Sequence, residues 1–245
     1  MKAIILAAGR GKRLKEKTAP VNKSMLTFLG RHLIEYSLET ARLSNVDEII
    51  IVVGYRAADI VNKFGIQYAN IKIRYVIQEE QKGLVNALEY TREALDGDDF
   101  ILLLADELMI HPNPQEMIKT FKTEKLFVLC GVTRVKDRSQ ISKTYTVISN
   151  EEDNRVYRLV EKPRNPFNDI MGTGNCIFKN DIFDYIPYTP TNYIRKEKEL
   201  PDLIQCSIDD GKPVKLFFIN AEYVNINTPE DISSAEQVLN QEKAK

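Results

Sequence analysis

The sequence predicts an α/β fold, a mostly parallel sheet flanked by helices with a smaller α+β portion after it. Three observations carry this expectation. Short apolar runs alternate with longer stretches of helical period through the first half, the pattern that βαβ units leave in a sequence. From Tyr145 onward the texture changes to shorter β-like pieces. The 245 residues are 43% hydrophobic and 28% charged, so the chain can bury a core unaided, and disorder or a collagen-like chain is excluded.

Taken in order, strands are expected at Lys2–Ala7, Glu48–Val53, Ile71–Ile77 and Phe100–Leu104, each a run of long aliphatic and β-branched side chains. Between them, Arg31–Leu43 places Leu33, Ile34, Leu38 and Ala41 on one helical face, and Gly83–Leu95 does the same with Leu84, Ala87, Leu88 and Leu95. A further strand is expected at Lys125–Val132, followed by shorter pieces at Tyr145–Ile148, Arg155–Val160 and Gly174–Phe178. A helix at Pro201–Asp210 has Pro in its first turn and Gly211 at its stop, and the last helix, Pro229–Asn240, follows Thr228 as N-cap. No internal repeat and no long Pro/Gly/Ser linker divides the chain, and residues 241–245 are expected to fray.

Charge and cysteine usage narrow the function. Lys and Arg total 34 against 35 Asp and Glu, a formal charge of −1, and the basic residues are scattered. No electrostatic footprint for nucleic acid or anionic lipid results, so the expected partners are small molecules. No run approaches the roughly 20 apolar residues of a membrane span. The apolar start ends at Gly9 and is followed by Arg10, Lys12 and Arg13, too short for a secretory leader, and a cytoplasmic location is expected. Cys130, Cys176 and Cys206 are far apart in sequence, form no CxxC and are expected to be buried thiols.

The first strand ends in Ala7-Ala8-Gly9-Arg10-Gly11-Lys12-Arg13-Leu14, at the strand end where α/β proteins bind ligands. The dinucleotide fingerprint fails because its third glycine position is Leu14. The Walker A pattern fails because Leu6 and Arg13 replace its first Gly and its Ser/Thr. A different phosphate loop fits: Gly9 and Gly11 let backbone N–H groups approach an anion, and a guanidinium such as that of Arg13 forks onto phosphate oxygens.

Extended through Thr18 to Asn22-Lys23-Ser24-Met25-Leu26, the loop resembles the signature G-x-G-x-R-L-x-P-L-T-x-x-x-P-K-x-L-L of the sugar-1-phosphate nucleotidylyltransferases, such as the glucose-1-phosphate thymidylyl- and uridylyltransferases, with every gap kept. Glu16, Lys17 and Asn22 depart from it, changes that bear on loop rigidity more than on chemistry. Four further segments are similar to family elements in the family's order. Gln78 through Gly83-Leu84 resembles the base-contacting Q-x-x-x-x-G-L. Leu103-Leu104-Ala105-Asp106 resembles a hydrophobic run ending in G-D, with Ala105 for Gly. Val160-Glu161-Lys162-Pro163 matches V-E-K-P. Asn225-Ile226-Asn227-Thr228-Pro229-Glu230-Asp231 resembles D-x-G-T-P-E-D, with Asn225 for the second metal-binding Asp and Asn227 for Gly. Gly172-Thr173-Gly174-Asn175 and Glu199-Leu200-Pro201-Asp202 resemble the sugar-contacting T-G and E-x-T-D segments, and Thr146 stands where many members have Gly.

The resemblance implies a Rossmann-like, nucleotide-diphospho-sugar transferase fold, a single domain over residues 1–240 with a nucleotide-binding portion at about 1–132 and an acceptor-binding portion at about 133–228. It implies transfer of a nucleotidyl group from an NTP, UTP or dTTP favoured, to a sugar 1-phosphate by direct in-line attack, with Mg²⁺ as cofactor and pyrophosphate as second product. Such transfer asks for positioning and charge neutralisation more than covalent chemistry. Carried over residue by residue, Arg13, Lys23, Asp106 and Lys162 are catalytic. Ala8, Gly9, Gly11, Arg13, Gln78, Gly83 and Asp106 bind nucleotide, while Thr146, Glu161, Lys162, Gly174 and Glu199 bind the sugar phosphate. Asp106 and Asn225 hold the metal, whereas Glu107 and His111 are expected to be solvated loop residues. The partners are then an NTP and a sugar 1-phosphate, with no nucleic acid or membrane, and a homo-oligomer is compatible with this reading. Three other readings stay open: transfer to phosphocholine or another non-sugar phosphate, a catalytically silent nucleotide-binding regulatory homologue, and a nucleotide-sugar-dependent glycosyltransferase.

Overall fold

A computed structural model of the chain describes residues 1–9, 11, 22–219 and 221–243. Apolar runs become strands where both faces can be covered, and Glu48–Val53 is the limiting case, buried at all six positions. In chain order the strands are β1 (Lys2–Leu6), β2 (Thr27–Phe28), β3 (Arg31–His32), β4 (Glu48–Val53), β5 (Gln67–Tyr68), β6 (Ile71–Ile77), β7 (Phe100–Leu104), β8 (Glu107–Ile110), β9 (Val128–Arg134), β10 (Tyr145–Ser149), β11 (Val156–Glu161), β12 (Ile170–Phe178), β13 (Thr191–Asn192), β14 (Glu197–Lys198), β15 (Val214–Phe218) and β16 (Glu222–Asn225). The α-helices are α1 (Ile34–Leu43), α2 (Ala57–Phe64), α3 (Leu84–Glu89), α4 (Arg92–Leu95), α5 (Pro114–Thr123), α6 (Leu200–Asp209) and α7 (Pro229–Lys243).

The main sheet has eight strands in the order β15-β9-β12-β7-β1-β4-β6-β5. Its centre, β7-β1-β4-β6, is parallel, and β12 runs antiparallel between β7 and β9. Parallel neighbours need crossovers, and the crossover helices bury both faces of the sheet. One face of β1, β4 and β7 sends Ile4, Ile50 and Leu102 into a core that includes Leu88 and Ile204. The other sends Ile5, Ile51 and Leu103 against Ile34, Leu38 and Ala41 of α1. Each such side chain contributes about 1.5–3 kcal/mol by leaving water, and truncating one to Ala costs about 2–5 kcal/mol. Among the described residues no helix is long and apolar enough to cross a membrane.

The expected strands at β4, β6 and β7 have the bounds that the sequence predicts. The expected strand at Lys125 begins instead at Val128, because Lys125 (φ +52°) and Leu126 close the end of α5, where the Leu126 N–H donates to the Phe121 carbonyl. The expected helix from Arg31 begins at Ile34, since Arg31 and His32 pair with β2. The expected helix Gly83–Leu95 divides around Thr91, whose hydroxyl donates to the Leu88 carbonyl at 2.6 Å. At the last helix the Asp231 carboxylate accepts from the Thr228 N–H at 2.7 Å, reaching back to the N-cap, and α7 continues to Lys243. Cys130 and Cys176, distant in sequence, are register partners on β9 and β12 and fully buried, whereas Cys206 is only half-buried, a correction to the expected third buried thiol.

Candidate active site

The carboxyl ends of β1, β6 and β7 converge on a cleft of about 320 Å³ whose lining includes Ala8, Gly9, Lys23, Gln78, Gly83 and Asp106. The loop after β1, the residue after β6 and the end of β7 are thus neighbours in space, as parallel pairing requires. Gly11 adopts φ +59°, and a Cβ there would lie 3.0 Å from the Lys23 Cβ. Arg13 and Thr18 lie outside the described residues.

On one side of the cleft the Gln78 N–H continues the sheet by donating to the Val53 carbonyl at 2.9 Å. Its side chain is buried, and Nε2 donates to Asn86 Oδ1 at 2.9 Å and to the Gly83 carbonyl at 3.3 Å. These bonds fix which way round the amide sits. Gly83 has φ +96° and ψ −176°, a region open essentially to glycine alone, and a Cβ there would lie 2.4 Å from Glu197 Oε2. Glu197 and Gln81 also line the cleft, and Gln81 Nε2 donates to the Ala8 carbonyl at 2.7 Å. Neither carries a signal in the sequence: Gln81 lies inside the Q-x-x-x-x-G segment at an unspecified position, and Glu197 belongs to a two-residue strand.

On the other side, Asn22 builds the support for Lys23. Its Oδ1 accepts from the Ser24 N–H at 2.9 Å and the Ser24 hydroxyl at 2.7 Å, while Nδ2 donates to the Tyr55 carbonyl at 2.7 Å. The residue that departs from the family's Pro therefore anchors the turn through its side chain. Lys23 Nζ reaches Asp106 Oδ2 at 2.7 Å and Asn227 Oδ1 at 3.3 Å, and Asn227 Nδ2 donates to Asn225 Oδ1 at 2.7 Å.

Asp106 and Asn225 are brought together by the β8–β16 pair, in which Asn225 stands opposite Glu107 and the Ile226 N–H donates to the Asp106 carbonyl at 2.9 Å. One carboxylate and one amide oxygen are hard donors of the kind that Mg²⁺ takes, the remaining positions going to water and substrate oxygens. No group of three or more His, Cys, Asp or Glu side chains is arranged for a metal among the described residues, so a metal here would depend on those outside ligands.

Glu107 is not the expected solvated loop residue. It is 2% exposed, and its Oε1 accepts from the Tyr223 hydroxyl at 2.6 Å and the Gly174 N–H at 2.8 Å. Burial pushes its carboxyl up to about 8, against the opposing pull of the Tyr223 hydrogen bond. The pairing of β8 with β16, more than 100 residues apart in sequence, turns this side chain inward. His111, at the end of β8, is exposed as expected.

A second cluster joins three of the expected acceptor residues. Lys162 Nζ lies 2.6 Å from Glu161 Oε1, Arg195 Nη2 lies 3.5 Å from the same oxygen, and Arg195 Nε pairs with the buried Glu199. Burial raises the Glu161 carboxyl above its usual range, with Lys162 pulling it down and Glu199 pushing it further up. Arg195 was not among the sequence candidates, because the hairpin that carries it has no periodicity to read. Thr146 and Gly174 are committed elsewhere. The Thr146 hydroxyl is buried within 2.6 Å of Asn168 Oδ1 and 2.8 Å of the Ile170 carbonyl. The Gly174 N–H serves Glu107, and a Cβ at Gly174 would lie 2.2 Å from Leu104 Cγ, placing this glycine behind a residue of the cleft wall.

The chain is similar to the UTP–glucose-1-phosphate uridylyltransferase of Haloferax volcanii, 29% identical over 243 residues, 99% of this chain and 98% of that protein. It is 26% identical over 245 residues to a glucose-1-phosphate thymidylyltransferase of Streptomyces griseus, covering 98% of this chain and 66% of the relative. Its fold matches a solved UDP-glucose pyrophosphorylase complexed with UDP-glucose at a TM-score of 0.87 and 21% identity, covering 98% of each chain. The nucleotidyl transferase family model matches residues 2–242, nearly the whole of the chain. With that match over nearly its whole length, the chain belongs to the nucleotidyl transferase family.

Proposed function

We propose that the protein transfers a nucleotidyl group from UTP or dTTP to a sugar 1-phosphate, giving an NDP-sugar and pyrophosphate. The observation that carries this reading is the Lys23–Asp106 pair at 2.7 Å, set in the same cleft as the Gln78 amide and Gly83. With its Nε2 hydrogens taken by Asn86 and the Gly83 carbonyl, the Gln78 amide offers its oxygen as an acceptor, which suits the N3–H of uracil or thymine. The names of the two relatives, a uridylyl- and a thymidylyltransferase, point to the same bases and to glucose 1-phosphate as acceptor.

In this reading Lys23 and Arg13 neutralise the triphosphate and the leaving pyrophosphate, and Lys162 meets the incoming phosphate. Asp106 and Asn225 would hold Mg²⁺, which supplies charge neutralisation at the phosphate oxygens when bound. Glu161 and Glu199, with Arg195 between them, orient the sugar. The reaction belongs in the cytoplasm, the compartment that supplies NTPs. The test is pyrophosphate release with Mg²⁺ over a matrix of NTPs against sugar 1-phosphates and phosphocholine. Turnover is expected with UTP or dTTP and a hexose 1-phosphate; turnover confined to phosphocholine would replace the sugar, and silence alongside measurable NTP binding would indicate a regulatory homologue.

A further inference from the structure

The side chain of Asn227 bridges the two halves of the site. Its Nδ2 donates to Asn225 Oδ1 at 2.7 Å, and its Oδ1 lies 3.3 Å from Lys23 Nζ, which in turn lies 2.7 Å from Asp106 Oδ2. One carboxylate oxygen of Asp106 and the amide oxygen of Asn225 are therefore each engaged by an N–H donor of the chain itself. The ammonium adds a positive charge beside the place that a dication would take. Asn227 is firmly held there: its backbone N–H donates to Asp231 Oδ2 at 2.8 Å, and Asp231 Oδ1 lies 3.0 Å from Lys143 Nζ. A glycine at 227 could make none of these side-chain contacts.

We propose that Asn227 is a positioning residue that parks Lys23 on Asp106 and holds the Asn225 amide, keeping the metal site closed until nucleotide phosphates draw Lys23 away. This rests on the reading that Asp106 and Asn225 hold the metal. The consequence is an order of binding, nucleotide before or together with metal, and metal alone binds weakly. A lysine that leaves one anion for another of greater charge needs no change of fold, only rotation about its own flexible stem.

The test is direct titration of Mn²⁺ alone, followed by the loss of its free-ion paramagnetic resonance signal, into wild type, Asn227→Ala, Lys23→Met and Asp106→Asn, each checked for an intact melting transition. Asn227→Ala is expected to bind Mn²⁺ about 5-fold more tightly than wild type, the size of one net hydrogen bond, and Lys23→Met about 10-fold or more, as for a charged one. Asp106→Asn should lose binding. If Asp106→Asn loses binding while Asn227→Ala binds equally or more weakly than wild type, the closing role is overturned and the metal reading stands. If Asp106→Asn binds as wild type does, the metal reading fails and takes this proposal with it. Failure of both Asn227→Ala and Lys23→Met to bind Mn²⁺ also overturns the proposal, which requires that they uncover the site.

Discussion

Gly83 and Glu197 approach so closely that a methyl group on the glycine would lie 2.4 Å from the glutamate carboxylate and 2.8 Å from its Cβ. Two constraints meet at Gly83, because its φ of +96° excludes a side chain on backbone grounds alone. Gly83→Ala should therefore cost about 2 kcal/mol or more in stability and raise the KM for NTP by at least about 10-fold as the hairpin with Glu197 is displaced. Urea denaturation and initial-rate kinetics check both parts; an alanine variant with unchanged KM would remove this contact from the nucleotide site.

The acceptor cluster predicts a separation of the two substrates. Lys162 pairs with Glu161 on a part of the chain distinct from the loop that carries Lys23. Lys162→Ala should raise the KM for the sugar phosphate by at least about 10-fold while leaving the dissociation constant for NTP within about 2-fold, since it removes one charge-assisted contact to one substrate. Calorimetric NTP binding beside acceptor kinetics measures the split. Equal loss of both affinities would make Lys162 a structural residue.

Asn22 should act through Lys23. Replacing it with Ala leaves the turn without the carboxamide that bonds Ser24 and the Tyr55 carbonyl. A stability loss of about 1–3 kcal/mol is expected, the cost of orphaned buried partners, together with at least about 10-fold lower kcat at little change in the KM for acceptor. Asn22→Pro, which restores the family's residue, should recover kcat more than stability.

The Glu161 carboxyl predicts a pH dependence of stability. Burial raises its folded value above the ordinary 4.5 that the unfolded chain keeps, and Glu199 adds to the rise. The stabilisation from keeping the proton is full below the ordinary value and is lost as pH rises through the higher folded one. Across that window wild type should lose stability relative to Glu161→Gln, whose amide does not titrate. Urea midpoints of the two proteins from pH 4 to pH 7 give the difference directly, and parallel curves would show that Lys162 and Arg195 fully compensate the burial.

Much of the site was legible in the sequence because parallel strands place their ends together. A small-residue loop after the first apolar run, a Gln after the third and an Asp after the fourth come to one end of the sheet once those runs align in parallel, as β7, β1 and β6 do with β4 between the last two. What stayed hidden depends on contacts that leave no local pattern. Glu197 and Arg195 ride on a hairpin of two-residue strands, too short for alternation to show. Glu107 follows the cleft residue Asp106 and reads as a solvated loop residue until its hydrogen-bond partner, Tyr223, is known. Asn227 stands where the family has Gly, and no local pattern shows that its amide spans Asn225 and Lys23, the lysine lying 204 residues away in sequence.

The most direct test of nucleotidyl transfer to a sugar phosphate is phosphorus NMR of wild type and Lys23→Ala with Mg²⁺, UTP or dTTP, and glucose 1-phosphate. In wild type, resonances of an NDP-glucose and of pyrophosphate should grow together in equal amounts, and Lys23→Ala should be slower by at least about 10²-fold, as expected for losing one preorganised charge donor at a transferring phosphate. Orthophosphate in place of the NDP-sugar, or equal rates in the two proteins, would contradict the account.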